Sequence, residues 1–168
     1  MRKELGRPTR ELFFKLLHET APEFRPSSKY QIKGFTWQFL REYPDLRQWI
    51  WFQRHKYEDA FTVELSWSQV VDAPTEAPFG SPQDPFRPNG CRFRLGAFWS
   101  PGGDYWWYVA DQPSPLSELV RGLLARPASD VEKQMPRIRT VVEDAVGRVK
   151  EHALPYFARV AQWAGHTP

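Results

Sequence analysis

The residues from Arg47 to Val70 constrain the fold more than any other part of the chain. In the second half of this stretch, apolar and polar residues alternate one by one from Phe61 to Ser68. A period of two predicts a β-strand with one buried face and one face in water. In the first half, the residues from Trp49 to Phe52 are all apolar, which predicts a strand covered on both sides. The short segment Tyr57 to Asp59 between the halves favours an antiparallel hairpin.

Three further stretches show the pattern of strands. They run from Lys29 to Phe39, with a bulge or bend at Gly34, from Cys91 to Ser100, and from Tyr105 to Ala110. The turn Pro101-Gly102-Gly103-Asp104 separates the last two stretches. Because the strands follow one another along the chain, we predict an antiparallel meander of about five strands.

Helical periodicity marks both ends of the chain. A first helix is predicted from Thr9, as its N-cap, to Ala21. Three helical segments are predicted after the strands: Ser114 to Pro127, Ser129 to about His152 with a kink or restart at Pro136, and Pro155 to Gly165. The order helix, strands, helices is typical of an α+β fold in which the helices cover the apolar face of the sheet.

A long irregular insert interrupts this order at residues 72–90. It holds five prolines, which exclude both a helix and a central strand. A segment of this kind is mobile, functional or a cover for a sheet edge. We otherwise expect residues 1–168 to form one domain, since a chain of this length can bury a core of its own.

Composition narrows the setting. The single cysteine, Cys91, cannot form an internal disulfide, and neither a signal peptide nor a membrane-spanning run is recognisable, so we expect a cytoplasmic protein. Positive charge is concentrated in residues 1–56, which hold 12 Lys and Arg against 6 Asp and Glu. Such asymmetry is compatible with an acidic partner or nucleic acid, and equally with a basic end packed beside acidic helices.

Several local motifs point to a known family. These motifs are Gly34-Phe35, the strand Ile50 to Gln53 with the basic Arg54 and Lys56 behind it, Phe61-Thr62-Val63, and Ala153-Leu154-Pro155-Tyr156-Phe157. With them, about three quarters of the chain resembles the bacterial family known as domain of unknown function 4304. The resemblance implies a fold and a bacterial setting but no chemistry, and by analogy a role in toxin–immunity neighbourhoods.

No constellation for metal binding or catalysis stands out. The four histidines, His18, His55, His152 and His166, lack metal-ligand spacing, and Cys91 at the start of a strand is typical of a small buried hydrophobe. No nucleophile motif or phosphate-binding loop is present. We therefore expect no metal, no cofactor and no catalytic residue, and favour a protein that is not an enzyme.

Glu64 is the one carboxylate in the middle of the strand that is predicted from Phe61 to Ser68. It is a general acid or base only if a pocket raises its pKa; otherwise it forms a surface ion pair with Arg92 or Arg94. The sheet's second face, the side that carries Glu64, is the predicted binding surface, because interfaces concentrate aromatic residues and arginine. The candidate binding residues are Glu64, Arg92, Arg94, Trp106, Tyr108, Gln53 and His55. In the alternative, Trp106 and Tyr108 pack under the insert or against the last helix.

Three functions follow as hypotheses. The first is a bacterial macromolecule-binding domain with a protein partner, such as an immunity or anti-defence protein. The second is a small-ligand or nucleotide-binding domain, with or without enzymatic activity, in which Glu64, Arg92, Arg94 and Trp106 line a pocket. The third is nucleic-acid binding through residues 1–56.

Overall fold

An antiparallel sheet organises the part of the chain that the structure, a computed structural model, describes: residues 1–29, 34–100, 102–110 and 131–167. The strands in these ranges are β1 (Arg25–Ser27), β2 (Thr36–Glu42), β3 (Arg47–Arg54), β4 (Ala60–Ser68), β5 (Cys91–Arg94) and β6 (Trp107–Tyr108). Neighbours in the sheet follow chain order from β1 to β5, and β6 also pairs with β4. The predicted α+β fold with an antiparallel sheet is confirmed.

The β3–β4 hairpin forms as the residue pattern predicts. Phe52 lies opposite Val63, and Ile50 lies opposite Leu65. All four of these side chains are fully buried, because the helices cover this face of the sheet. The residues from Trp49 to Phe52 are buried on both sides of β3, as an unbroken apolar run requires.

The last strands are shorter than predicted and pair differently. Strand β5 ends at Arg94, because the chain turns there into the 3-10 helix Leu95–Phe98. That turn leaves half of the β4 edge open, and β6 occupies it opposite Ala60 and Phe61. The strands β5 and β6 therefore share one edge of β4, and the second does not return along the first.

The first edge of the sheet also differs from the prediction. Strand β1 lies at Arg25–Ser27, before the first predicted strand. Pro26 is tolerated there because β1 is an edge strand, where a missing N–H costs no ladder hydrogen bond. Of the predicted strand from Lys29, the part at residues 30–33 lies outside the described residues. Gly34 follows with φ of 83°, in the left-handed region that glycine adopts readily.

Helix α1 (Lys3–Thr20) begins earlier than predicted. Thr9 is not its N-cap but lies inside the helix, where its hydroxyl donates to the Leu5 carbonyl at 2.6 Å. The helix continues past Pro8 because only the Glu4 carbonyl loses a partner there, while Leu5 adds a fully buried side chain to the core.

In the described residues, the C-terminal helices form one continuous helical segment. Helix α2 (Val131–Arg148) passes through Pro136 and joins helix α3 (Leu154–Trp163) by a π-helical turn, Val149–Ala153. The separate helix that was predicted to begin at Pro155 instead continues from α2 through this wider turn, which accommodates a residue without an N–H. The predicted helix from Ser114 to Pro127, and the start of the next at Ser129, lie outside the described residues.

The helices α1, α2 and α3 of the described ranges cover one face of the sheet. Helix α1 packs against α2, and the core cluster runs from Leu5 and Phe13 through β4 to Phe157. No helix in the described ranges combines the length and the apolar character that crossing a membrane requires.

The second face of the sheet is covered, whereas the alternation in β4 predicted a face in water. Every residue of β4 is buried. The insert at residues 72–90 and the loop before β6 supply the cover through hydrogen bonds: Ser66 donates to the Pro74 carbonyl at 3.2 Å, Ser68 to that of Pro88 at 3.3 Å, and Thr62 to that of Tyr105 at 2.8 Å. Thr62, Ser66 and Ser68 of β4 thus donate hydrogen bonds to backbone carbonyls.

Candidate functional site

The cover over the second face leaves an opening above Glu64. This opening, which we name the Glu64 pocket, has a volume of about 480 Å³. Strands β2, β3 and β4 form its floor, the insert forms one wall, and β5 with the following loop forms the other. The lining residues are Thr36, Trp51, Gln53, Glu64, Thr75, Phe79, Gly80, Arg92, Phe93, Arg94, Ala97, Gly102, Gly103 and Asp104.

Glu64 is the buried carboxylate at the floor of the pocket. Only 11% of its side chain is exposed, and the sheet register places it between Trp51 of β3 and Arg94 of β5. Burial raises the pKa of Glu64, and the charges of Arg92 and Arg94 only partly oppose this effect. A carboxylate with a raised pKa in an accessible pocket is a recognised mark of a functional site.

Arg92 is the direct partner of Glu64. Its Nε lies 3.2 Å from Glu64 Oε1, an ion pair in which the N–H is not aligned for a hydrogen bond. Its Nη1 donates to the Thr75 carbonyl at 3.3 Å, and its guanidinium lies 3.9 Å from the centre of the Phe79 ring. Arg92 therefore ties the floor of the pocket to the wall formed by the insert.

Arg94 belongs to the opposite wall. Its Nη1 forms an ion pair with Asp104 Oδ1 at the edge of the pocket. The same guanidinium lies 4.8 Å from the centre of the Trp106 ring, a cation–π contact that orients it. The two arginines thus diverge from β5, one toward each wall, with Glu64 between them.

Trp51, which pairs with Glu64 in the sheet register, holds a buried indole donor. Its indole Nε1 is buried and has no hydrogen-bond partner among the described residues. Buried polar groups are nearly always paired, so each exception calls for an explanation such as a water or a ligand.

The predicted binding residues do not all line this pocket. Glu64, Arg92, Arg94 and Gln53 do, and Trp106 stands behind Arg94. His55 lies on the far side of Trp106, with ring centres 4.6 Å apart, and its Nδ1 accepts from the Glu58 N–H at 2.9 Å.

Tyr108 also lies away from the pocket. It pairs with Ala60 in the sheet, and its carbonyl accepts from Arg137 Nε of α2 at 3.1 Å. Trp106 contacts Arg94 and His55, and the alternative in which Tyr108 packs under the insert or against the last helix stays a prediction.

Sequence reasoning missed the wall residues that lie outside the strands. Thr75, Phe79 and Asp104 lie in irregular segments, where no periodicity assigns a face. The one usable signal was the Gly102-Gly103-Asp104 turn, which places a carboxylate beside the end of β5.

Cys91 is buried at the other end of β5. Burial raises the pKa of its thiol to about 11, so the thiolate that would make it a nucleophile is scarce at neutral pH. Within the described ranges, no group of three His, Cys, Asp or Glu side chains is placed to hold a metal ion.

Much of the positive charge in residues 1–56 is paired within the chain. Arg2 pairs with Asp59 at 2.8 Å, and Arg47 pairs with Asp72 at 3.0 Å. Arg7 lies 2.8 Å from Glu11. These pairs weaken the argument for a phosphate-binding surface that the charge count alone suggested.

Comparison of the chain with protein-family models, with curated proteins and with solved structures gave no match. The resemblance to the domain of unknown function 4304 family therefore stays a prediction.

Proposed function

We propose that this protein binds a small polar ligand in the Glu64 pocket, with Glu64, Arg92 and Arg94 as the groups that recognise it. The observation that carries the proposal is the buried Glu64 carboxylate at the floor of an accessible pocket. Ligand sites typically combine an apolar lining with a few convergent polar groups. Trp51, Phe79 and Ala97 supply the apolar part here.

Energetics supports the same proposal. Burial disfavours the charge on Glu64, so keeping this carboxylate away from water costs folding free energy. Residues that cost stability in this way are often kept for function. The buried, unpaired Trp51 N–H is a second cost to stability in the floor of the pocket.

A thermal-shift panel tests the proposal. The wild-type chain is heated with nucleotides, amino acids, sugars and organic acids, and a ligand of the folded state raises the melting temperature by mass action. We expect at least one class to raise it, and the size of the shift to change in Glu64→Gln but not in Glu76→Gln, which removes an exposed glutamate outside the pocket. A shift of the same size in Glu64→Gln and in wild type would contradict the proposal.

Phe79 favours a second candidate function, the binding of a protein partner. Its side chain is 78% exposed at the rim of the pocket, and it packs over Arg92. Aromatic residues and arginine dominate the binding energy of protein interfaces. An immunity-type protein would use this pair as its anchor. A purified partner that binds wild type and Phe79→Ala equally well would remove this candidate.

A further inference from the structure

In the ion pair between Arg94 and Asp104 the carboxylate is exposed, whereas in the pair between Arg92 and Glu64 it is buried. Arg94 is fixed on β5 over the Trp106 ring. Asp104 is 58% exposed and follows two glycines, Gly102 and Gly103, with φ of 83° and 73°. Glycines adopt many backbone conformations, so the loop can turn the Asp104 carboxylate away from the pocket. An exposed pair of this kind contributes little to stability.

Asp104 therefore occupies a place that a ligand can take. The guanidinium presents a planar set of N–H donors that matches a carboxylate in geometry. When Asp104 turns away, Arg94 faces the pocket with unmatched charge, because the Glu64 carboxylate is already the partner of Arg92 at 3.2 Å.

The remaining charges set the charge of the ligand. With Asp104 outside, the pocket holds two guanidiniums and one carboxylate, which one negative charge on the ligand balances. A dianion such as a phosphate monoester would bring an uncompensated charge beside Glu64. The apolar lining by Trp51, Phe79 and Ala97, within about 480 Å³, leaves room for an organic body behind the charged group.

We infer that the Glu64 pocket takes an organic monocarboxylate, which displaces Asp104 from Arg94. The inference rests on the proposed function and gives it a ligand class. Asp104 acts as an internal competitor, so removing its charge strengthens ligand binding, whereas removing most other polar groups of a site weakens it.

The test measures the affinity of benzoate by titration calorimetry and by thermal shift. Benzamide is the uncharged control of the same shape, and phenyl phosphate is the dianion. Relative to wild type, we expect Asp104→Asn to bind benzoate about fivefold more tightly, since it removes a weak competing pair. Arg94→Gln should bind it at least about tenfold more weakly. The matched control is Asp72→Asn, which breaks the exposed pair with Arg47 outside the pocket and should leave affinity unchanged.

The outcomes separate this inference from the proposed function. Unchanged or weaker benzoate binding in Asp104→Asn, or benzamide or phenyl phosphate binding as tightly as benzoate, overturns the inference. If the panel yields only a neutral or cationic ligand that depends on Glu64, the inference fails and the proposed function stands. If no compound binds, both fail. Melting temperatures of the unliganded variants show whether each is folded.

Discussion

Glu64 lies in a place where burial opposes the charge of its carboxylate. Its pKa in the folded protein is raised above the ordinary value of 4.5, first by burial, while Arg92 and Arg94 act in the other direction. A raised folded pKa means that folding favours the protonated acid. The stability that this preference supplies is therefore present below the ordinary pKa and is lost as pH rises through the folded value.

This sign gives a prediction for Glu64→Gln, which cannot ionise. The free energy of unfolding of wild type, minus that of Glu64→Gln, should be larger at pH 4 than at pH 7. Urea unfolding at several pH values between these limits measures the difference, in which the titration of other groups cancels. Glu76→Gln is the matched control, because it removes a glutamate from the exposed surface of the insert. A larger difference at pH 7 would mean that the two arginines outweigh burial.

Side-chain periodicity in the sequence is enough to predict that Glu64, Arg92 and Arg94 lie together. In antiparallel strands the residue spacing fixes which side chains share a face, and these three do. It could not predict that the group is buried, because the cover comes from segments without a repeat. Whether Thr75 or Asp104 reaches the pocket depends on how irregular backbone packs, which no local rule states.

At the scale of elements, the hairpin was predictable and the ends of elements were not. The β3–β4 register in the structure agrees with the alternation of apolar and polar residues in the sequence. Helix α1 begins before Pro8 because Leu5 packs in the core, which outweighs the helix-breaking tendency of proline. Strand β5 ends at Arg94 because Leu95 packs in the core, which outweighs the alternating pattern that continues to Ser100. The polar side of β4 was predicted to face solvent. A sequence does not distinguish a serine that donates to a backbone carbonyl from a serine that donates to water.

Gly90 marks the place where the insert approaches β4 most closely. Its φ is 79°, and a Cβ there would lie 1.7 Å from the Trp67 carbonyl oxygen. Gly90→Ala must therefore both strain the backbone and move the insert, and we expect it to destabilise the fold by at least about 2 kcal/mol. Urea unfolding followed by tryptophan fluorescence measures the loss.

Gly147 provides the opposite case for comparison. It lies in α2 and, apart from its chain neighbours and the nearby backbone of its own helix, no described atom lies within 4 Å of the Cβ position, so Gly147→Ala should stabilise the protein by about 0.5–1 kcal/mol. Equal effects of the two substitutions would show that the insert does not hold the position against β4 described here.

For the whole molecule, the insert connects the two faces of the sheet around the outer edge of β5. Its residues Pro78 and Gly80 exchange backbone hydrogen bonds with Arg92 at 2.8 and 3.0 Å, which protects an edge that would otherwise be open. Farther along, Phe86 reaches the helical side and packs edge-on against Trp67 and Tyr156, with ring centres 5.7 Å away in each case. The wall of the Glu64 pocket is thus anchored in the main core.

Two phenylalanines of the insert have different roles: Phe86 packs against the core, and Phe79 lies exposed at the rim of the pocket. Phe86→Ala removes contacts with the core, and because Phe86 is partly buried we expect a loss of about 2–3 kcal/mol in the free energy of unfolding. Phe79→Ala removes an exposed ring and should change stability by less than about 0.5 kcal/mol. Chemical unfolding of both variants makes the comparison, and limited proteolysis should cut the insert faster in Phe86→Ala alone. If both variants kept wild-type stability and resistance, the insert would not be anchored to the core, and the pocket wall that carries Thr75 and Phe79 would lack the rigid support that selective binding requires.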